Sequence, residues 1–277
     1  MSKNGPRIYR PSVPTMPFSQ SDGLSERHKK MSEEGRHLTD DSSVSEATLT
    51  IAMRDIISYA TECFHPLGYT IEHQKTISLF DCQTYFHAAG GPPPHPENQK
   101  VSMKPDGGIL FAIGGGKRIP ILIVEDKVQG TNDSLFEKGL KRQATGNAIE
   151  RGAKNIRGAE MLFAGLPYFS YALFTSGCDF HSIETIAKRI EMMNMGIPNH
   201  YVEVSPRSTA ESIATTVAAI TPSIQLICGK SIASVFVKAH QWNEMPHASS
   251  RWKNEEIVLI CKKIIDRVAE LTSKRDT

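Results

Sequence analysis

From residue 44 to 64 the apolar side chains Leu49, Ala52, Met53, Ile56, Ile57 and Ala60 recur at helical spacing, and that period predicts an amphipathic helix. The pattern then changes. Two short β-branched runs, 109–113 and 119–124, flank Gly114-Gly115-Gly116-Lys117, which predicts a hairpin whose second strand, apolar on both faces, is buried. Ahead of it, Gly90-Gly91-Pro92-Pro93-Pro94-His95-Pro96 can enter neither a helix nor a central strand and reads as a surface loop. Helical spacing returns over 148–163 (Ala148, Ile149, Ala153, Ile156, Ala159, Met161, Leu162), followed by a buried strand at 168–175. A strand, helix, strand order implies a crossover and some parallel pairing. Further helical patterns at 183–193, 209–220 and 253–272 surround a short strand at 200–204. The fold class is therefore α/β.

Residues 1–43 lack this periodicity and are rich in proline, serine and mixed charge, so they are expected to form a flexible arm ahead of a single domain over 44–277. With 277 residues, 39% of them apolar, the chain can fill a real core. The five cysteines form no CxxC pair, which argues against a zinc knuckle or a disulfide framework. No apolar run is long enough to span a bilayer. The expectation is a soluble cytoplasmic protein with no membrane partner.

Candidate chemistry sits around the hairpin. Pro105-Asp106 precedes Glu125-Asp126-Lys127, and the returning chain brings Asp106 toward Glu125 across 19 residues of sequence. Two carboxylates, completed by water and phosphate oxygens, suit Mg2+. Lys127 follows Glu125 by two residues, which in a strand places both on one face. A cation beside two carboxylates fits phosphodiester hydrolysis, with Lys127 orienting the attacking water or stabilising developing charge. A Pro-Asp followed by Glu-x-Lys arises by chance in roughly one chain in twenty of this size. By itself the motif leaves a surface ion pair at a strand end as an equal reading.

The net charge of +2 conceals a local excess. Between residues 138 and 157 stand Lys138, Lys141, Arg142, Arg151, Lys154 and Arg157, opposed by the single acid Glu150. Beside a phosphate-cutting centre such a segment would attract DNA without regard to sequence. A solvated helix face is the plainer reading of the same charges.

Three blocks in this region resemble the EcoRI-type restriction endonucleases in order and spacing: Lys104-Pro105-Asp106-Gly107-Gly108-Ile109, Glu125-Asp126-Lys127-Val128-Gln129-Gly130, and Gly146-Asn147-Ala148-Ile149-Glu150-Arg151 with Lys154-Asn155-Ile156. The resemblance is strongest over 102–175. It implies a PD-(D/E)xK restriction-endonuclease-like fold, a mixed β-sheet flanked by helices, in a homodimer around a palindromic double-stranded DNA site. It further implies a type II restriction endonuclease that uses Mg2+, and a cognate DNA methyltransferase in the same system.

By that resemblance Asp106, Glu125 and Lys127 are the catalytic residues, with Asp106 and Glu125 holding the metal. Gln143, Ala144, Asn147, Ala148, Glu150, Arg151 and Arg189 would read bases, and Lys104, Lys154 and Asn155 would contact phosphates. The side chains suit these roles: an Asn amide pairs with adenine, Arg donates to purine acceptors and Glu accepts from an exocyclic amino group. A central AATT follows, with GAATTC favoured over CAATTG. The chain departs from the family pattern at Gln143 and Thr145, and Ile186 stands where a second arginine would accompany Arg189. Without the resemblance, Asn147 also reads as a helix cap and Glu150 with Lys154 as a surface pair.

Other signals carry less. Gly114-Gly115-Gly116-Lys117 lacks the remaining residues of a phosphate-binding loop, His65, His73, His87 and His95 lack ligand spacing, and Cys178 with His181 is a weak nucleophile pair. Two alternatives to a restriction enzyme are a structure-selective repair or recombination nuclease of the same fold and a catalytically silent DNA-binding protein.

Overall fold

The computed structural model describes residues 39–82, 85, 101–128, 139, 154–159, 162–163, 166, 169–177, 180, 201–203, 209, 211–213, 215, 235–238 and 251–274, with Lys29, Glu33 and Lys188. Eight strands are described: β1 (Thr70–Gln74), β2 (Ile77–Ser78), β3 (Ser102–Met103), β4 (Gly108–Gly114), β5 (Lys117–Val128), β6 (Tyr171–Ser176), β7 (Tyr201–Glu203) and β8 (Val235–Lys238). Six of them form a central mixed sheet of order β1-β4-β5-β6-β8-β7, and β2 pairs with β3 in a separate ribbon. The β1-β4-β5 half is antiparallel and the β5-β6-β8-β7 half parallel. This is the mixed sheet flanked by helices that the sequence leads one to expect.

The predicted hairpin is β4-β5. Its strands close at Gly114 and Lys117 around Gly115 and Gly116, whose φ values of 55° and 72° suit a two-residue turn of the twist-matching kind. Pairing shifts by one residue between Leu110↔Leu122 and Phe111↔Pro120. The irregularity lies beside Pro120, which has no N–H to give a ladder. It also lets Ile121 and Leu122 both join the same core cluster, despite being neighbours in a strand.

One sheet face is covered by the helices Thr39–Phe64 and Asn254–Ser273. Leu49, Ala52, Met53, Ile56, Ala60 and Phe64 form the buried stripe of the first helix; Ile257, Ile260, Cys261, Ile264, Ile265 and Val268 form that of the second. Each fully buried Ile or Leu contributes about 1.5–3 kcal/mol of transfer free energy, so these stripes hold the helices on the sheet. The other face buries Ile109, Phe111, Ile123, Tyr171 and Leu173 against Ile156, Ala159 and Phe163 from the helical pattern predicted at 148–163, of which 154–159 is described and helical.

The first helix begins at Thr39, five residues before the predicted start. β5 runs on to Val128, beyond the predicted 124. Strands β1, β2, β3 and β8 are too short or too polar to announce themselves by alternation. Of the expected arm, the described residues Lys29, Glu33 and 39–43 have helical backbone. The loop expected at 90–96 lies outside the described residues, as does most of the helical patterns at 183–193 and 209–220. Among the described residues no helix is long and apolar enough to cross a membrane, and Cys63, Cys82 and Cys261 are free thiols.

Candidate active site

Gly108 pairs with Val124 at the last rung of the β4-β5 ladder. Past that rung, β5 continues beside β6 alone, with Glu125↔Leu173 and Lys127↔Thr175 in parallel register. The edge that β4 vacates meets the turn before it. Gly107 N–H donates to the Val124 carbonyl at 2.9 Å, and the Asp126 N–H donates to Asp106 Oδ2 at 3.3 Å. Asp106 thus sits against the stretch of β5 that carries Glu125 and Lys127.

Strand alternation divides the Glu-Asp-Lys triplet. Glu125 and Lys127 share one face, and Lys127 Nζ lies 2.7 Å from both Glu125 Oε1 and Asp106 Oδ2. Asp126 faces the opposite way, toward the first helix, where its Oδ2 accepts a hydrogen bond from Ser45. Burial pushes the Asp126 carboxyl up to about 6, against the lowering effect of the Ser45 bond. Burial acts to lower the Lys127 pKa, but the charge of Glu125 and the hydrogen bonds to Asp106 and Glu125 outweigh it and hold the ammonium above the ordinary lysine range.

Glu125 is the buried member, its side chain only 3% exposed, whereas Lys127 and Asp106 are 29% and 36% exposed. Burying a carboxylate is costly unless hydrogen bonds replace its water. Three donors do so: Lys127 and Asn155 Nδ2, each 2.7 Å from Oε1, and the Tyr171 hydroxyl on Oε2. Burial, then the Glu125 charge, push the Tyr171 phenol upward, so it stays a donor.

The donor set fits a hard divalent cation. Asp106 Oδ2 and Glu125 Oε1 converge on a single positively charged atom, and both are hard oxygens. Among the described residues no cluster of three or more His, Cys, Asp or Glu side chains is poised for a metal. Asp106 and Glu125 could hold such an ion together with water and phosphate oxygens.

The turn that presents Asp106 depends on Gly108. Its φ is +80°, and a Cβ there would lie 2.5 Å from His73 Nε2 and 2.6 Å from the Gln74 carbonyl oxygen. His73 Nε2–H donates to the Gly107 carbonyl at 2.9 Å, bracing the same turn from β1. Gly108→Ala should lower stability by about 2–3 kcal/mol and reduce any activity that needs Asp106. Chemical denaturation checks the first effect, and His73→Ala in the same chain should recover only part of it, since the Gln74 carbonyl remains.

Lys104 is exposed two residues before Asp106, and Lys154 is exposed beside Asn155. The Asn155 amide, expected at a phosphate, donates one N–H to Glu125 and keeps a second. Gln143, Ala144, Asn147, Ala148, Glu150, Arg151 and Arg189 lie outside the described residues. Sequence reasoning missed Tyr171 and His73: the first reads as one more apolar strand residue, the second as a stray histidine.

A comparison with curated proteins found no match. The family described as Restriction endonuclease EcoRI matches residues 98–275, which include every element of the site except β1 and the first helix. The chain belongs to the EcoRI restriction endonuclease family and is a type II site-specific deoxyribonuclease.

Proposed function

We propose that the protein is a homodimer that uses Mg2+ to hydrolyse double-stranded DNA at a palindromic AATT-centred site, GAATTC foremost, leaving 5′-phosphate and 3′-hydroxyl ends. The observation that carries the hydrolytic reading is the convergence of Asp106 and Glu125 on Lys127 Nζ at 2.7 Å each, and the sequence preference rests on the 146–151 block of the sequence. Asp106 and Glu125 would hold the cation, which when bound would supply Lewis-acid stabilisation of charge on the scissile phosphate. Lys127, a cationic donor with three N–H groups, would orient the attacking water or neutralise charge on the phosphate. Burial of Glu125 keeps bulk water from competing for its oxygens.

Gln143, Ala144, Asn147, Ala148, Glu150, Arg151 and Arg189 are assigned to base readout. Lys104, Lys154 and Asn155 are assigned to phosphates, supported for both lysines by their exposure. A cognate methyltransferase protecting the same site, and a cytoplasmic location, belong to this reading.

The test is incubation with a plasmid of known sequence, with and without Mg2+, followed by mapping of the ends. Discrete fragments ending at AATT-centred sites only when Mg2+ is present are expected. Intact plasmid with Mg2+ would overturn the cofactor and cleavage reading, and random ends would overturn the sequence preference.

A further inference from the structure

We propose that Tyr171 is a positioning residue for DNA cleavage, fixing the carboxylate plane of Glu125 so that Oε1 faces Asp106 and Lys127. This rests on the reading of Glu125 as a metal ligand.

Tyr171 stands on β6 opposite Ile123 in the parallel ladder, two residues before Leu173 pairs with Glu125. It is fully buried and shares its core cluster with Ile123, Phe163 and Phe169. The ring is therefore held by packing on a central strand, and its hydroxyl reaches Glu125 Oε2. A carboxylate can rotate about its last torsion, because that torsion has only a broad two-fold preference. With Oε2 tied to β6, rotation would break the Tyr171 bond. Oε1 is left toward the exposed side, where Lys127 and Asn155 already meet it.

The Tyr171 side chain is buried and its hydroxyl bonds to Glu125, so its effect on the site must pass through that carboxylate. Partners that orient a metal-binding side chain from behind typically change metal affinity or activity about 10–100-fold when removed. Asn155 contributes from the helical segment 154–159, but its bond falls on the same oxygen as that of Lys127 and does not fix the far oxygen.

The experiment compares wild type, Tyr171→Phe, Phe169→Leu and Glu125→Ala as full chains. It measures single-turnover plasmid cleavage across a Mg2+ titration, specific DNA affinity without metal, and thermal unfolding. Tyr171→Phe should raise the Mg2+ concentration at half-maximal rate, or lower the rate, about 10-fold or more, with DNA affinity unchanged. Phe169→Leu, which loosens the same core without touching Glu125, should lower the unfolding temperature and leave the Mg2+ dependence alone.

A wild-type Mg2+ profile and rate in Tyr171→Phe would overturn the proposal. So would a Tyr171→Phe chain that fails to fold while Phe169→Leu folds, since the hydroxyl would then be structural. Cleavage by Glu125→Ala would instead overturn the reading of Glu125 on which the proposal stands.

Discussion

Glu125→Ala and Lys127→Ala should each reduce DNA cleavage by about 10²–10³-fold while leaving specific binding within a few-fold of wild type. The two losses have different origins. Alanine at 125 removes a carboxylate that faces Lys127 at 2.7 Å and takes away the acceptor of Asn155 and Tyr171. Alanine at 127 removes the cation between two acids, so Asp106 and Glu125 repel across the site. Neither side chain is assigned to base readout, which is why binding should survive. Cleavage of a plasmid and a gel-shift titration with one cognate duplex, run on the same preparations, separate the effects. Loss of binding together with cleavage would point to misfolding and would count against the division of roles.

Much of this centre is legible in the sequence because strand geometry is local. A two-residue spacing between Glu125 and Lys127 suffices to put both on one face, and the glycine turn at 115–116 suffices to return β5 along β4. The two long helices are legible for a similar reason. Their apolar stripes repeat every three to four residues, and the structure buries those stripes on one sheet face.

What escapes the sequence is set by partners distant along the chain. β1 reads Thr-Ile-Glu-His-Gln, a half-exposed edge strand whose polar residues hide it, yet His73 from that strand braces the turn carrying Asp106. Tyr171 is indistinguishable by periodicity from the apolar residues around it, and only the parallel pairing of β5 with β6 brings its hydroxyl to Glu125. β8 is hidden by Lys238, a charged residue in a strand otherwise apolar and short.

Glu256→Ala should lower the unfolding free energy by about 3–5 kcal/mol, the usual effect of stranding one member of a buried ion pair. Lys238 and Glu256 are 1% and 6% exposed, and Lys238 Nζ lies 2.8 and 2.7 Å from the two carboxylate oxygens. Glu256 also accepts the Lys253 N–H at 2.9 Å, at the start of the final helix. With the carboxylate gone, the buried ammonium would keep the Trp252 ring, 5.6 Å away at its centroid, as a weaker substitute. That ring is itself held to the sheet by Trp252 Nε1–H donating to the Thr175 carbonyl at 3.0 Å. Thr175 lies in register with Lys127 on the neighbouring strand, so the pair supports the sheet behind Lys127. Replacing both charges, as Lys238→Met with Glu256→Leu, should restore most of the lost stability, because no charge is then left buried without a partner. Urea unfolding of the single and double variants reads the difference directly: a single variant as stable as wild type would show that the pair is not what fastens this helix to β8.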